Sequence, residues 1–326
     1  MKYVFISKHG DILPLAQRIE DEGNETSLYV CNDEGLLIDR HITDFCPDII
    51  YIDSFGFGAF AERLRKQGFK VIGGSRLTDE LENNKGYERR VLKTFGLDED
   101  GAGATKVGVD GFFNGKTMVA VSYTVDGVSW MGEREDRLFT AGLKKLESAL
   151  RKAAYSGIVS IDTFFNKDGL YFKNLRVRTT ATSLLIMREA LKGRLSNLLY
   201  ALAYEQNRVF MFKPGWYTMV PLYLEQGELL EPSRGYEISV EGLSPEVVKH
   251  LWLFGFSKKT SDKYIYRGDG GRVAVATARG ETVREARRRV YRTVFNTGIP
   301  NILFLKNVGS KASTVYSKLK EEKWIG

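Results

Sequence analysis

The first hundred residues alternate short apolar runs with amphipathic stretches. Residues 3–7, 27–31, 49–52 and a run beginning at Val71-Ile72 are dense in aliphatic and aromatic side chains, as strands covered on both faces are. Between them, 12–22 and 59–67 carry apolar residues at helical spacing, with Gly23 and Gly68 as stops. Strands alternating with helices predict a doubly wound, three- or four-stranded parallel sheet with helices on both faces. Ligands of such sheets gather at the carboxyl ends of the strands. Here those ends are Ser7-Lys8-His9-Gly10-Asp11, Asp53-Ser54-Phe55-Gly56-Phe57-Gly58 and Gly73-Gly74-Ser75. A longer helix is predicted over 77–95, closed by Gly96, and the acidic, glycine-rich stretch after it marks a boundary. The first domain is thus expected over 1–97, with 98–105 as a short link.

Past the link the pattern changes to an antiparallel α+β domain over 106–326. Residues 106–113 and 117–125 read as strands joined by Asn114-Gly115, a strong hairpin signal. A helix is expected over 138–154, with Leu143, Leu146 and Leu150 on one face, and a second hairpin over 158–165 and 169–177. Helices at 183–191 and 196–206 and strands at 216–224 and 236–240 follow. Ser244-Pro245-Glu246 marks a helix start, with proline at the first helical position. Residues 264–267 and 272–278 read as a last hairpin turning at 268–271, and 282–295 as the last helix. No internal repeat interrupts this order.

Composition narrows the classes. The 326 residues carry 48 Lys and Arg against 41 Asp and Glu, a net charge of +7, with 12% aromatic residues. A disordered chain has fewer aromatics and a larger imbalance. There is no apolar run of the roughly 18 residues that a membrane helix needs, and no signal-peptide pattern at the start, so a cytoplasmic protein is expected. Cys31 and Cys46 are too few for a disulfide framework. His9, His41 and His250 stand at no metal-ligand spacing. Neither a Walker-type lysine loop nor a G-x-S-x-G nucleophile motif occurs.

Three clusters remain open to two readings each. Lys8, Gly10 and Asp11 form either an anion cradle at a helix start or a plain turn with Asp11 as N-cap; Gly56 and Gly58 share that ambiguity. Arg284, Arg288 and Arg292 lie four apart on one helix face. They are either a phosphate or nucleic-acid patch or a solvated face partly paired with Glu281 and Glu285. Asn174, Arg176 and Arg178 alternate along a strand toward one side, lining a cleft or the wet face of a sheet.

Several segments occur in a telling order: Ile6-Ser7-Lys8-His9-Gly10-Asp11, Gly56-Phe57-Gly58, Val71-Ile72-Gly73-Gly74-Ser75, the helix from Leu77, Gly271-Arg272-Val273, Gly280-Glu281-Thr282-Val283-Arg284-Glu285-Ala286 and Ile299-Pro300-Asn301. Taken together they resemble the phosphoribosylamine–glycine ligases, a family of ATP-grasp enzymes, and in particular their divergent phage-type relatives. The resemblance implies ATP held between two lobes, and magnesium held by a strand reading approximately Glu-Phe-Asn-x-Arg. It also locates departures. Residues 97–105 stand where a small α+β lobe belongs, and so few residues cannot build one. Asn174 and Arg176 occupy the metal-ligand positions, and only Arg178 matches. Of the substrate loop only Trp130-Met131-Gly132 stands near its place.

The expectation that follows is a degenerate ATP-grasp homologue without ligase activity. It would have no cofactor and act as a binding or structural protein with a protein partner or a second copy of itself. A second expectation is an ATP- and magnesium-dependent carboxylate–amine ligase of purine-nucleotide or phage base-modification metabolism. There Lys8, Asp11 and Arg178 would contact an anionic substrate or phosphate. A third is nucleic-acid binding through the face of Arg284, Arg288 and Arg292.

Overall fold

Tyr3 and Phe5 face one side of the first strand and Val4 and Ile6 the other, and all four are fully buried, so this strand must be covered on both faces. The computed structural model describes residues 1–8, 10–30, 42, 44–97, 105–166, 169–178, 181–224, 237–239, 243–258, 263–266 and 272–326. The chain begins β1 (Lys2–Ser7), α1 (Leu13–Asp21), β2 (Glu25–Val30), β3 (Ile49–Ile52), α2 (Gly58–Lys66) and β4 (Val71–Ile72). The four strands form the expected parallel sheet, in the order β2-β1-β3-β4. Val4, Ile6, Ile50 and Ile52 pack with Ala61 and Leu64 of α2 on one face.

Two helices follow, α3 (Arg76–Asn83) and α4 (Lys85–Thr94), where the sequence predicts one over 77–95. Asn84 breaks the run. Its backbone is extended (φ −115°, ψ 92°) and its side chain accepts from the Tyr87 amide, capping α4. Leu81, Leu92 and Leu97 join the core of the second sheet rather than that of the first.

Among the described residues that second sheet has nine strands. The chain runs on through β5 (Thr105–Phe113), β6 (Met118–Val125) and β7 (Val128–Gly132), then α5 (Arg137–Ala141), a 3₁₀ turn (Leu143–Leu146) and α6 (Glu147–Lys152), then β8 (Gly157–Asn166) and β9 (Gly169–Arg176). Next come α7 (Ala181–Ala190), α8 (Leu195–Ala203), β10 (Trp216–Leu224), β11 (Glu237–Ser239), α9 (Pro245–His250), β12 (Leu251–Leu253), β13 (Phe256–Lys258) and β14 (Lys263–Tyr266). The described chain closes with β15 (Arg272–Gly280), α10 (Val283–Phe295), β16 (Ile302–Leu303) and α11 (Ala312–Glu321). The main path is β12-β15-β10-β7-β6-β5-β8-β9, with β16 on β10.

Two further predictions need correction. The helix expected over 138–154 is three short pieces, broken at Gly142, whose backbone (φ −109°, ψ −104°) is not helical. A Cβ at Gly142 would sit 2.8 Å from the Phe172 ring. The last hairpin does not form: β14 lies between β11 and β13 in a separate three-stranded sheet, while β15 runs between β10 and β12. Residues 273–278 are buried on both faces, which calls for a central strand rather than a hairpin edge. The turn expected at 268–271, Cys31, His9 and His41 lie outside the described residues.

α7 and α8 carry Leu184, Leu185, Leu198, Leu199 and Leu202 into the core formed by Tyr3, Phe5 and Tyr51. They thereby cover the second face of the parallel sheet, together with α1. Among the described residues no helix is long and apolar enough to cross a membrane.

Candidate functional site

Where β1 and β3 end, Asp53 is almost fully buried, 8% exposed. Ser7 Oγ donates to Asp53 Oδ2 at 2.8 Å and Ser54 Oγ to Oδ1 at 2.5 Å. Burial pushes the Asp53 carboxyl up to about 7; the two serine hydroxyls pull it down, and the Asp11 charge adds to the rise. The same serines organise the turn: Gly10 N donates to Ser7 Oγ and Lys8 N to Ser54 Oγ, each at 3.0 Å.

Asp11 is not the N-cap of α1; the cap position is Ile12, with no side-chain bond. Asp11 instead pairs with Arg272 at the start of β15, 2.8 Å away. Gly10 has φ +76° and its amide is already satisfied by Ser7. The amides of Gly56 and Gly58 are taken up by the chain itself. Asp79 Oδ1 accepts from Gly56 N at 2.8 Å and Asp79 Oδ2 from Gly58 N at 2.6 Å. An internal carboxylate thus occupies both backbone donors of this turn.

Across from this turn, the second sheet forms a cleft of about 1040 Å³ around β5, β8 and β9. At its centre Asp162 on β8 is 5% exposed. Asn174 Nδ2 donates to Asp162 Oδ2 at 3.0 Å, Arg176 Nη2 to Oδ1 at 3.1 Å, and Lys106 Nζ approaches Oδ2 at 3.0 Å. Burial pushes the carboxyl of Asp162 up, but the bonds from Asn174, Arg176 and Lys106 outweigh it and hold it below the ordinary range. Nearby Asp110 goes the other way. Burial dominates there and raises it, against a 3.3 Å bond from Ser183 Oγ and the charge of Arg176.

The structure therefore brings Asn174 and Arg176 together on one carboxylate of the neighbouring strand. The simple alternation of 174, 176 and 178 is modified: Asn174 has φ +52° and the β8–β9 register shifts beside it, a bulge that re-aims its side chain. Arg178 lies just beyond β9, lines the same cleft, and has its Cζ 5.8 Å from the Phe55 ring. It bridges the two halves of the chain. Its Nε is buried with no hydrogen-bond acceptor among the described residues.

The arginines of α10 lie elsewhere. Arg288 and Arg292 line a separate cavity together with Arg289, whereas Arg284 is exposed and outside it. Glu285 pairs with Arg289 at 2.6 Å, not with the three arginines spaced four apart. Sequence reading singled out neither Asp162 nor Lys106, and it placed Asp53 at a strand end and Arg272 in a resembling segment without giving either a role. A signal for Asp162 was present: Ser160 and Asp162 are polar at alternate positions of the apolar run that begins at Ile158.

Comparison with known proteins adds to this geometry. No protein-family model matches the chain, and no curated protein matches it. Solved structures do. A phosphoribosylamine–glycine ligase from Thermotoga maritima is similar at TM-score 0.67 and 12% identity, over 94% of this chain and 100% of that one. A biotin carboxylase from Campylobacter jejuni, solved as a β-γ-ATP complex, matches at TM-score 0.65 and 12% identity over 94% and 93%. The fold is that of the ATP-grasp proteins. A urea carboxylase from Kluyveromyces lactis matches at TM-score 0.67 and 12% identity, but this chain spans only 32% of it, and 22% of the urea amidolyase of the same yeast. At such identities the likeness concerns the ATP-grasp fold alone.

Proposed function

We propose that the chain is a degenerate relative of the phosphoribosylamine–glycine ligase-like ATP-grasp proteins, without ligase activity, that serves as a binding protein. The observation that carries this reading is the state of Asp162. Magnesium is held by oxygen ligands, usually carboxylates with lone pairs to spare. Both oxygens of Asp162 already accept from an amide, a guanidinium and an ammonium group, and the last two are cations standing where a cation is wanted. These residues do not fit a magnesium pair. Phosphoryl transfer relies on metal ions to neutralise developing charge. The segment between Thr94 and Thr105 supports the same reading, being shorter than a hairpin and helix need.

The test is calorimetric titration with ATP, with and without magnesium, beside a phosphate-release assay on mixtures of carboxylates and amines. The expected result is no magnesium-dependent heat and no phosphate. Magnesium-dependent binding with release of phosphate overturns the reading. Light scattering of the same sample reports whether the chain pairs with itself.

One observation favours the ligase alternative. The cleft at Arg178 has room for a nucleotide, and the buried Nε of Arg178 has no acceptor among the described residues. On that reading magnesium-ATP binds and Arg178→Gln abolishes the binding.

A further inference from the structure

A strongly charged cavity of about 930 Å³ shares no lining residue with the cleft at Asp162. β15 separates this cavity from the first strand end. Arg272, beside Asp11, opens the strand, and Arg279, seven residues on, lines the cavity, about 23 Å away at strand rise. Helices from both halves of the chain supply its walls. Arg18 comes from α1, Arg188 from α7, Lys249 from α9, and Arg288 and Arg292 from α10, while Lys213 precedes β10.

Leaving His250 aside, eight cationic side chains line this space against two carboxylates, Glu189 and Glu246, a formal excess of six. The whole chain carries only +7, so the excess is concentrated at one place rather than spread over the surface. Both carboxylates are engaged by one ring: His250 Nδ1 lies 2.7 Å from Glu189 and Nε2 3.3 Å from Glu246. Arg289 is paired with Glu285 and Arg279 with the Pro214 carbonyl. Among the described residues, Arg188, Lys213, Lys249, Arg288 and Arg292 form no ion pair.

Two further observations point the same way. The Nε atoms of Arg18 and Arg188 are buried with no acceptor among the described residues, and a buried unsatisfied donor is costly. Arg18 and Lys213 are each held below their ordinary pKa, first by burial and next by the charge of Arg188. Cations drawn together without counter-charge raise the free energy of the empty site, and an anion removes that cost.

We infer that this cavity binds a small molecule carrying two or more phosphoryl groups. A single phosphate brings about −2, well short of the excess. The aromatic wall does not offer a stacking platform, because the Arg18 guanidinium already covers Trp252 at 4.9 Å. Recognition therefore centres on the phosphoryl groups, whether they belong to an inorganic polyphosphate or to a nucleoside polyphosphate. The concave shape and the exclusion of Arg284 argue against an extended nucleic acid, which tracks a basic stripe.

The experiment titrates the purified full chain with orthophosphate, pyrophosphate, tripolyphosphate, magnesium-free ATP and a single-stranded DNA oligonucleotide. The wild type is compared with the double variant Arg288→Glu/Arg292→Glu, and with Arg284→Glu and Arg178→Gln as controls. Arg288 and Arg292 are exposed, so their exchange leaves the core intact; circular dichroism confirms it. The inference expects tripolyphosphate to bind at least about tenfold tighter than orthophosphate, and the double variant to lose about tenfold or more. Neither control should change the affinity. Equal affinity for ATP and tripolyphosphate identifies the phosphate chain as the recognised part; tighter ATP binding identifies a nucleotide. No binding of any polyphosphate at about 10 mM and low salt overturns the inference. So does tighter binding of DNA that Arg284→Glu weakens, or polyphosphate binding that only Arg178→Gln removes.

Discussion

The carboxylate of Glu88 on α4 accepts the backbone amide of Leu175 on β9 at 2.5 Å, and Glu82 on α3 accepts from Val177 at 2.7 Å. Two helices that follow the parallel sheet thus take over the hydrogen bonds at the end of β9, which has no strand on its outer side among the described residues. Glu88 is 3% exposed. Glu88→Ala leaves the buried Leu175 amide without an acceptor and should cost about 1–3 kcal/mol. Urea unfolding measures it; an unchanged midpoint means the strap carries no load.

Asp53 makes stability depend on pH in a definite direction. Its folded pKa of about 7 lies above the ordinary 3.8, so the folded state holds the proton more tightly. The contribution is complete below about pH 4 and is lost as pH rises toward 7, at up to about 1.4 kcal/mol per pH unit. Asp53→Asn should flatten this slope and stabilise the protein relative to wild type above pH 7. Thermal melts of both proteins across pH 4–8 decide it, and parallel curves refute it.

Asp162 behaves oppositely. Its pKa is held below the ordinary value, so its stabilisation is present at neutral pH and fades as the pH falls below the usual carboxylate range. Asp162→Asn should destabilise at pH 7 by about 1 kcal/mol, since Lys106 and Arg176 are 57% and 37% exposed and solvent screens both. The gap between variant and wild type should close on acidification. A constant gap from pH 7 to pH 3 points to packing rather than charge.

Gly56 and Gly58 separate backbone strain from packing. A Cβ at Gly58 would lie 2.2 Å from the Ser75 carbonyl, which cannot move aside. Gly58→Ala should therefore fold poorly or lose more than about 3 kcal/mol. At Gly56 a Cβ meets open space, but φ is +93°, so Gly56→Ala should cost only about 1 kcal/mol. Denaturant midpoints of the two variants give the comparison.

Much of this protein can be read directly along the chain. The alternation of two-faced apolar strands with amphipathic helices sets out the parallel sheet. Asn114-Gly115 and Ser244-Pro245 place a turn and a helix start, because these features depend on neighbours a few residues away. The interruptions at Asn84 and Gly142 were harder, since a helical stripe continues across each break. What the tertiary structure alone decided concerns distant partners. It separated β14 from β15 and set Asp79 against the Gly56 and Gly58 amides. It also set Lys106, Asn174 and Arg176 around Asp162, and gathered Arg18, Arg188, Lys213 and Arg292 at one cavity. Local periodicity reports which face a side chain takes; only long-range packing determines which charge it meets there.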